Sequence, residues 1–254
     1  MTPRPWVLAE TNWKAAKDTS FDVAILPWGA TEPHNYHLPY GTDNYESTLI
    51  AERAAEIAWN KGAKVIVLPT VPFGVNTGQL DLRLAVNMNP STQLAVLTDI
   101  ASSLSAQGLK KLLILNSHGG NDFRQMLREL QPRFDFFICT INWWTCINGN
   151  DYFDEPGDHA GEMETSVMMS LAPGLLRPLS EAGAGTAKQF RVAGLREGWA
   201  WAPRKWSEVS ADTGTGNPAK STVAKGEKFL TAVTERIGGF LTDLANANID
   251  DLYA

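Results

Sequence analysis

Short apolar runs alternate with longer segments whose apolar residues recur at helical spacing. The runs predict strands at residues 21–28, 64–70, 112–115 and 134–141. The helical periodicity predicts helices at 43–59, 91–107, 122–130 and 219–247, two of them followed by a glycine (Gly62 and Gly108) that can end a helix. Strands that alternate with helices indicate a mainly parallel sheet covered on both faces, in a single domain over residues 1–254.

Functional sites in such folds lie beyond the carboxyl ends of the strands. Two histidine clusters, at residues 32–37 and 117–121, follow the first and third predicted strands. We therefore expect their loops to converge on one crevice. Residues 182–218 are rich in Gly, Trp and Pro and predict an insertion or lid.

Composition excludes several classes of function. The 254-residue chain has a net charge of -6 and a pI near 5.3, which leaves no basic face for nucleic acid. No secretory signal or apolar run of about 20 residues is visible, so we expect a cytoplasmic protein without a membrane partner. Cys139 and Cys146 lie in an apolar stretch and are expected to be reduced thiols.

All four histidines fall in three short clusters, which lie at residues 32–37, 117–121 and 158–164. The carboxylates beside them complete a nitrogen and oxygen ligand set for a transition metal. This distribution predicts a metalloenzyme, since scattered surface histidines would not group in this way.

Each candidate ligand also has a structural interpretation. Asp43 can be a helix cap, because capping is the commonest role of Asp at a helix start. His37 is expected to support a ligand, and His118 can be a buried structural histidine. Glu162 and Glu164 are two residues apart on a helix and point about 200° apart, so only one of them can face the site.

The clusters together resemble three signature motifs of the creatininase (creatinine amidohydrolase) family. The matching segments are EPHNYHLPYGTD from Glu32 to Asp43, NSHGGN from Asn116 to Asn121, HAGEMETS from His159 to Ser166, and a weaker TGTGNP from Thr213 to Pro218 followed by Lys225-Gly226. The resemblance implies a three-layer αβα sandwich, two divalent ions and a homohexamer. It assigns the metal ligands as Glu32, His34, Asp43, His118 and Glu164, with His159 as the proton-transfer group.

Three departures from the family pattern affect the site. Gly120 stands where creatininases place a carboxylate, so another residue must supply the fifth ligand. Glu164 is the first choice and Glu162 the second. If Glu162 is not a ligand, we expect it to act in catalysis with His159. Glu155 replaces a tryptophan of creatinine-binding members. Asn35 and Tyr36 replace a Gly and usually a Pro in the first motif.

We expect a dinuclear amidohydrolase that cleaves a carbon–nitrogen bond of a small molecule with a metal-bridging hydroxide. Two ions bridged by Asp43 would lower the pKa of a shared water toward about 7, and His159 would carry a proton to the departing nitrogen. Zn with Mn or Fe is expected. The alternatives are a hydrolase of a small modified peptide and a non-catalytic metal-binding relative.

Substrate contacts are less well determined by sequence. Trp143 and Trp144 follow the fourth strand and can stack on a flat substrate or fill core and subunit contacts, as can the tryptophans at 199, 201 and 206. Asn76 and Gln79 lie in another loop at the same end of the sheet, where polar groups can orient a ligand. Arg204 and Lys205 can meet a substrate carboxylate or remain solvated.

Overall fold

The computed structural model describes residues 2–254 and places four parallel strands in one sheet. The strands are β1 (Val23–Trp28), β2 (Val65–Val67), β3 (Lys111–Asn116) and β4 (Phe137–Asn142). Their spatial order is β2-β1-β3-β4, and every pairing is parallel. The predicted parallel sheet is confirmed.

Helices join the strands and cover both faces of the sheet. Within residues 2–254 they are α1 (Trp13–Lys17), α2 (Thr42–Asn60), α3 (Pro90–Ala106), α4 (Arg124–Leu130), α5 (Glu162–Leu171), α6 (Ala193–Arg196), α7 (Trp206–Val209) and α8 (Val223–Asn246). None of these helices has both the length and the apolarity that a membrane crossing requires.

Alternate side chains of each strand enter two separate apolar cores. Val23 and Ile25 of β1 pack in the core that α2, α5 and α8 cover, whereas Ala24 and Leu26 pack in the core beneath α3 and α4. This division follows from the two-residue period of a strand, which sends successive side chains to opposite faces. The result is the expected three-layer αβα arrangement.

Two of the differences between the predicted and observed strand boundaries have local causes. Leu68 still donates to the Ile25 carbonyl (2.8 Å), but Pro69 has no N–H and ends the ladder of β2 early. Strand β4 begins three residues later than predicted. The preceding turn is closed by Gln131, whose side chain accepts from the Ile138 N–H at 3.0 Å.

Helix α8 starts four residues later than predicted and crosses α5 closely. Thr222 caps α8 by accepting from the Lys225 N–H at 3.2 Å. A Cβ on Gly226 would lie 1.9 Å from the Ser166 carbonyl oxygen, so only glycine permits this crossing. The contact fixes α5, which carries the third histidine cluster at its start.

The segment at 182–218 is irregular apart from the short helices α6 and α7, and Asn35 anchors its base. The Asn35 side chain donates to the Gly183 carbonyl (3.1 Å) and accepts from the Gly183 N–H (2.8 Å). Its φ of 55° is a conformation that glycine adopts freely and asparagine tolerates. The replacement of the motif glycine by Asn35 therefore preserves the turn and adds an anchor.

Candidate metal centre

The loop after β1 brings His34 against Asp43 at the start of α2. His34 Nδ1 lies 3.0 Å from the Glu32 carbonyl oxygen, an arrangement that assigns the ring proton to Nδ1. His34 Nε2 then faces Asp43 Oδ1 at 3.1 Å. Gly41 occupies the N-cap position, so Asp43 is not the cap of α2 and its buried carboxylate faces the cluster.

The loop after β3 brings His118 to the same point. Its Nε2 lies 3.0 Å from the Val75 carbonyl oxygen, which leaves Nδ1 as the free nitrogen. His118 Nδ1 is 2.8 Å from Glu32 Oε1 and 3.2 Å from Asp43 Oδ2. The structure therefore joins the first two clusters across the carboxyl ends of β1 and β3.

Gly120 is required by this placement of His118. A Cβ at position 120 would lie 2.3 Å from the Val75 carbonyl oxygen and 2.5 Å from His118 Nε2. Both contacts are far shorter than real Cβ atoms make, so no side chain fits here while the His118 to Val75 hydrogen bond persists. A carboxylate ligand from position 120 is incompatible with this loop.

Helix α5 separates the two glutamates of the third cluster, as their spacing predicts. Glu164 Oε1 lies 3.6 Å from His34 Nε2, and its other oxygen accepts from the Ala160 N–H. Glu162 is fully buried on another side of the helix, where it pairs with Lys225 and accepts from the Glu155 N–H at 2.9 Å. The expected catalytic role of Glu162 needs correction, because both its oxygens are engaged away from the cluster.

His159 lies beside the cluster with one ring nitrogen facing it. Nε2 is 2.9 Å from the Pro33 carbonyl oxygen, and Nδ1 is 3.8 Å from Glu32 Oε1. Its ring stacks at 4.2 Å from His34, and the Trp206 ring meets its edge at 5.3 Å between centroids. These contacts hold the imidazole in one orientation.

The side chains form three overlapping groups that can each hold a cation. The groups are Glu32 with His34 and His159, Glu32 with Asp43 and His118, and His34 with Asp43 and Glu164, and the ligand atoms within each lie within 4.8 Å of one another. Asp43 belongs to two groups, and its buried Oδ2 has no hydrogen-bond donor among residues 2–254. This orphaned oxygen and the nitrogen and oxygen donor set fit divalent transition metals.

Mutual charge controls protonation in the metal-free cluster. Burial alone would lower the pKa of His34 and His118, but neighbouring carboxylates raise both pKa values well above the ordinary value of 6.5. Burial alone would raise the pKa of Glu32, yet the surrounding imidazoles hold it below its usual range. In the metal-free cluster the protonated imidazoles therefore pair with the carboxylates. Metal ions can replace these protons when they bind.

Two supporting residues lie behind the ligands. His37 Nε2 is hydrogen-bonded to Thr165 Oγ1 of α5 at 2.8 Å. Burial lowers the pKa of His37 to about 4. Glu46 follows Asp43 by one turn and is fully buried; burial, reinforced by the charges of Glu164 and Asp43, raises its pKa well above 4.5. Sequence reasoning missed Glu46, although its spacing places it on the same face of α2 as Asp43.

Two cavities adjoin the cluster. The smaller, about 120 Å³, is lined by Asp43, Glu164 and His159 together with the predicted substrate residues Trp143 and Trp144. The larger, about 980 Å³, is lined by Asn76, Gln79 and Trp206 among others. His159 lines both.

The predicted substrate residues differ in accessibility. Trp143 is buried and donates to Ser117 Oγ at 2.8 Å, which makes it mainly a packing residue, whereas Trp144 is half-buried. Asn76 lines the larger cavity, but its side chain donates to the Val86 carbonyl at 3.1 Å. Gln79 donates to a Glu32 carboxylate oxygen, so it orients a candidate ligand.

Known proteins resemble this chain in sequence. The family model for creatininase, described as creatinine amidohydrolase, matches residues 9–241. The creatinine amidohydrolase of Pseudomonas putida is 26% identical over 200 residues, covering 66% of this chain and 73% of that protein. The mycofactocin precursor peptide peptidase of Mycobacterium ulcerans is 23% identical over 233 residues, covering 89% of this chain and 86% of the relative.

Solved structures share the fold. A provisionally named creatinine amidohydrolase from Bacteroides fragilis is 44% identical, has a TM-score of 0.92, and covers 98% of both chains. A manganese creatininase is 20% identical with a TM-score of 0.78, over 96% of this chain and 100% of the other, and shows the fold alone. The match of the family model over most of the sequence establishes that this chain belongs to the creatininase family.

Proposed function

We propose that the protein is an amidohydrolase whose active site holds two divalent metal ions. The observation that carries the proposal is the position of Asp43, whose carboxylate belongs to two ligand groups at once. One ion would take Glu32, Asp43 and His118, and the other would take His34, Asp43 and Glu164. Zinc with manganese or iron suits this ligand set.

When bound, the ions would supply the Lewis acidity that makes water a nucleophile at neutral pH. The chain contributes the fixed orientation of the ligands. The proton on His34 Nδ1 is held by the Glu32 carbonyl, and the His118 Nε2 proton is held by the Val75 carbonyl. Each imidazole therefore presents its free nitrogen to the cluster.

His159 has the geometry of a proton carrier. Its Nε2–H donates to the Pro33 carbonyl, which leaves Nδ1 facing the cluster with a lone pair. His159 Nδ1 would accept a proton as water attacks the scissile carbonyl carbon and deliver it to the departing nitrogen as the carbon–nitrogen bond breaks. The Trp206 ring keeps the imidazole in place.

A small molecule with an amide, cyclic amide or formamide bond is the proposed substrate. A small modified peptide is a second candidate, supported by the cavity of about 980 Å³ beside His159 and by the peptidase relative that covers 89% of this chain. We further infer one domain over residues 1–254, because both apolar cores share the single sheet. The homohexamer implied by the family resemblance stays a prediction for light scattering to test.

The test is hydrolysis by zinc- and manganese-loaded protein of cyclic amides, formamides and short peptides, with His159→Ala beside the wild type. We expect His159→Ala to retain its metal and to lose activity by about 100- to 10,000-fold, the usual contribution of a positioned acid–base group. Inactivity of the loaded wild type toward all three classes would refute the proposal. Loss of metal from His159→Ala would instead make His159 a ligand.

A further inference from the structure

A basic surface borders the larger cavity, although the chain as a whole is acidic. A third cavity, of about 1190 Å³, is walled mainly by the 182–218 segment and shares Arg204 with the cavity of about 980 Å³. Its cationic residues are Lys188, Arg191, Arg196, Arg204 and Lys205, against the acidic residues Asp158 and Glu208. With a net charge of -6 on the whole chain, this local excess of cations attracts anionic ligands.

Of the five cations of this surface, Arg204 alone also lines a cavity that His159 lines. It lines both the cavity of about 980 Å³, which His159 also lines, and the cavity of about 1190 Å³. Its guanidinium carbon lies 4.4 Å above the ring of Trp206, and the same ring meets His159 at 5.3 Å. One aromatic side chain thus separates the cation from the proposed proton carrier.

The Arg204 guanidinium is oriented but not saturated. Its contact with the Trp206 ring restrains the side chain, and its Nη1 lies 2.8 Å from Asp158 Oδ2. This ion pair engages one end of the guanidinium, and no other carboxylate among residues 2–254 pairs with it. The side chain keeps 39% of its surface exposed, so a ligand can reach its donors.

Two other cations of this surface already have partners. Lys205 pairs with Glu208 at 2.8 Å, and Arg196 donates to the Phe190 carbonyl at 3.3 Å. Arg204 differs from Lys188 and Arg191, the remaining cations of the surface, because it lies against the Trp206 ring and lines the cavity that His159 also lines.

We propose that Arg204 binds an anionic group of the substrate, a carboxylate or a phosphate, at the end away from the bond that is cleaved. The guanidinium fork matches either anion through two parallel N–H donors. Asp158 holds the fork ready in the free protein and yields it to the incoming anion. The inference rests on the proposed hydrolase function, since the anion is taken as part of the substrate, and it makes Arg204 a specificity-determining residue.

Binding of three probes to the zinc-loaded full chain tests this assignment. The probes are N-acetylglycine, its neutral amide N-acetylglycinamide, and inorganic phosphate, each titrated by calorimetry. The variants are Arg204→Gln and Arg204→Lys, with Arg236→Gln as the control that removes one exposed positive charge from α8. A fourth variant, Asp158→Asn, removes the internal competitor for the guanidinium.

We expect an anionic probe to bind at least 10-fold more tightly than the neutral amide. Arg204→Gln should weaken it by about 10- to 100-fold, the value of a charge-assisted pair, and Arg204→Lys by less. Arg236→Gln should bind as the wild type does, and Asp158→Asn more tightly. Preference for N-acetylglycine identifies a carboxylate substrate, and preference for phosphate identifies a phosphorylated one.

Several results would overturn the inference. An anion held only by the zinc ions would bind Arg204→Gln and the wild type equally. It would also be contradicted if neither N-acetylglycine nor phosphate bound more tightly than the neutral amide. These experiments measure binding and not hydrolysis. Failure of the protein to hydrolyse any amide would therefore refute only the proposed function.

Discussion

Gly120→Ala is the substitution that tests the geometry of the loop after β3. The added methyl carbon would lie 2.3 Å from the Val75 carbonyl oxygen and 2.5 Å from His118 Nε2, so the hydrogen bond between those two atoms must open. Forcing a methyl group into a packed site costs about 1 to 3 kcal/mol. For a chain of this size each kcal/mol lowers Tm by roughly 2 to 4 °C, which predicts a decrease of roughly 2 to 12 °C.

Gly119→Ala is the matched control for this experiment. Among the described residues nothing lies within 4 Å of a Cβ built on Gly119, and its φ is not positive, so Tm should change by less than about 2 °C. Differential scanning fluorimetry with and without zinc measures Tm, and elemental analysis measures the metal bound. Gly120→Ala should also bind less metal, because His118 is displaced. Equal Tm and metal content in the two variants would refute the reasoning.

Four further predictions concern the neighbouring residues. Glu164→Gln should lose metal, whereas Glu162→Gln should retain metal and lose about 1 to 3 kcal/mol of stability, because Lys225 loses its buried partner and keeps only exposed Asp154 as a carboxylate partner; elemental analysis and urea unfolding separate the two. Asn35→Gly keeps the turn but removes both side-chain hydrogen bonds to the 182–218 segment, so hydrogen exchange there should accelerate without loss of metal. The raised pKa values of His34 and His118 predict that zinc affinity increases with pH above 6.5, as titrations in buffered series would show. In metal-free protein the same shifts stabilise the fold below pH 6.5, and this stabilisation is lost as pH rises through the folded-state values.

The parallel sheet was predictable because its strands are continuous apolar runs between amphipathic helices. The convergence of Glu32, His34 and His118 was predictable too, since their loops follow neighbouring parallel strands. The 200° rotation between Glu162 and Glu164 correctly indicated that one would face away. These inferences rest on local periodicity, which the sequence contains directly.

Contacts between distant segments could not be predicted in this way. The hydrogen bond from Gln79 to Glu32 and the packing of Trp206 on His159 depend on how separate loops meet. The reason for Gly120 likewise becomes visible only when Val75 is placed beside it. Sequence periodicity identifies faces of elements, and such pairings are decided by tertiary structure.

Metal stoichiometry tests the central claim most directly. Protein that has never met a chelator should hold two divalent ions per chain by elemental analysis, and Asp43→Asn should lose both, because one carboxylate serves both ligand groups. His37→Ala should retain both and bind them only about 10- to 100-fold more weakly, as supporting residues do. A wild-type chain that binds no zinc or manganese on titration, or an Asp43→Asn variant that keeps two ions, would contradict the account.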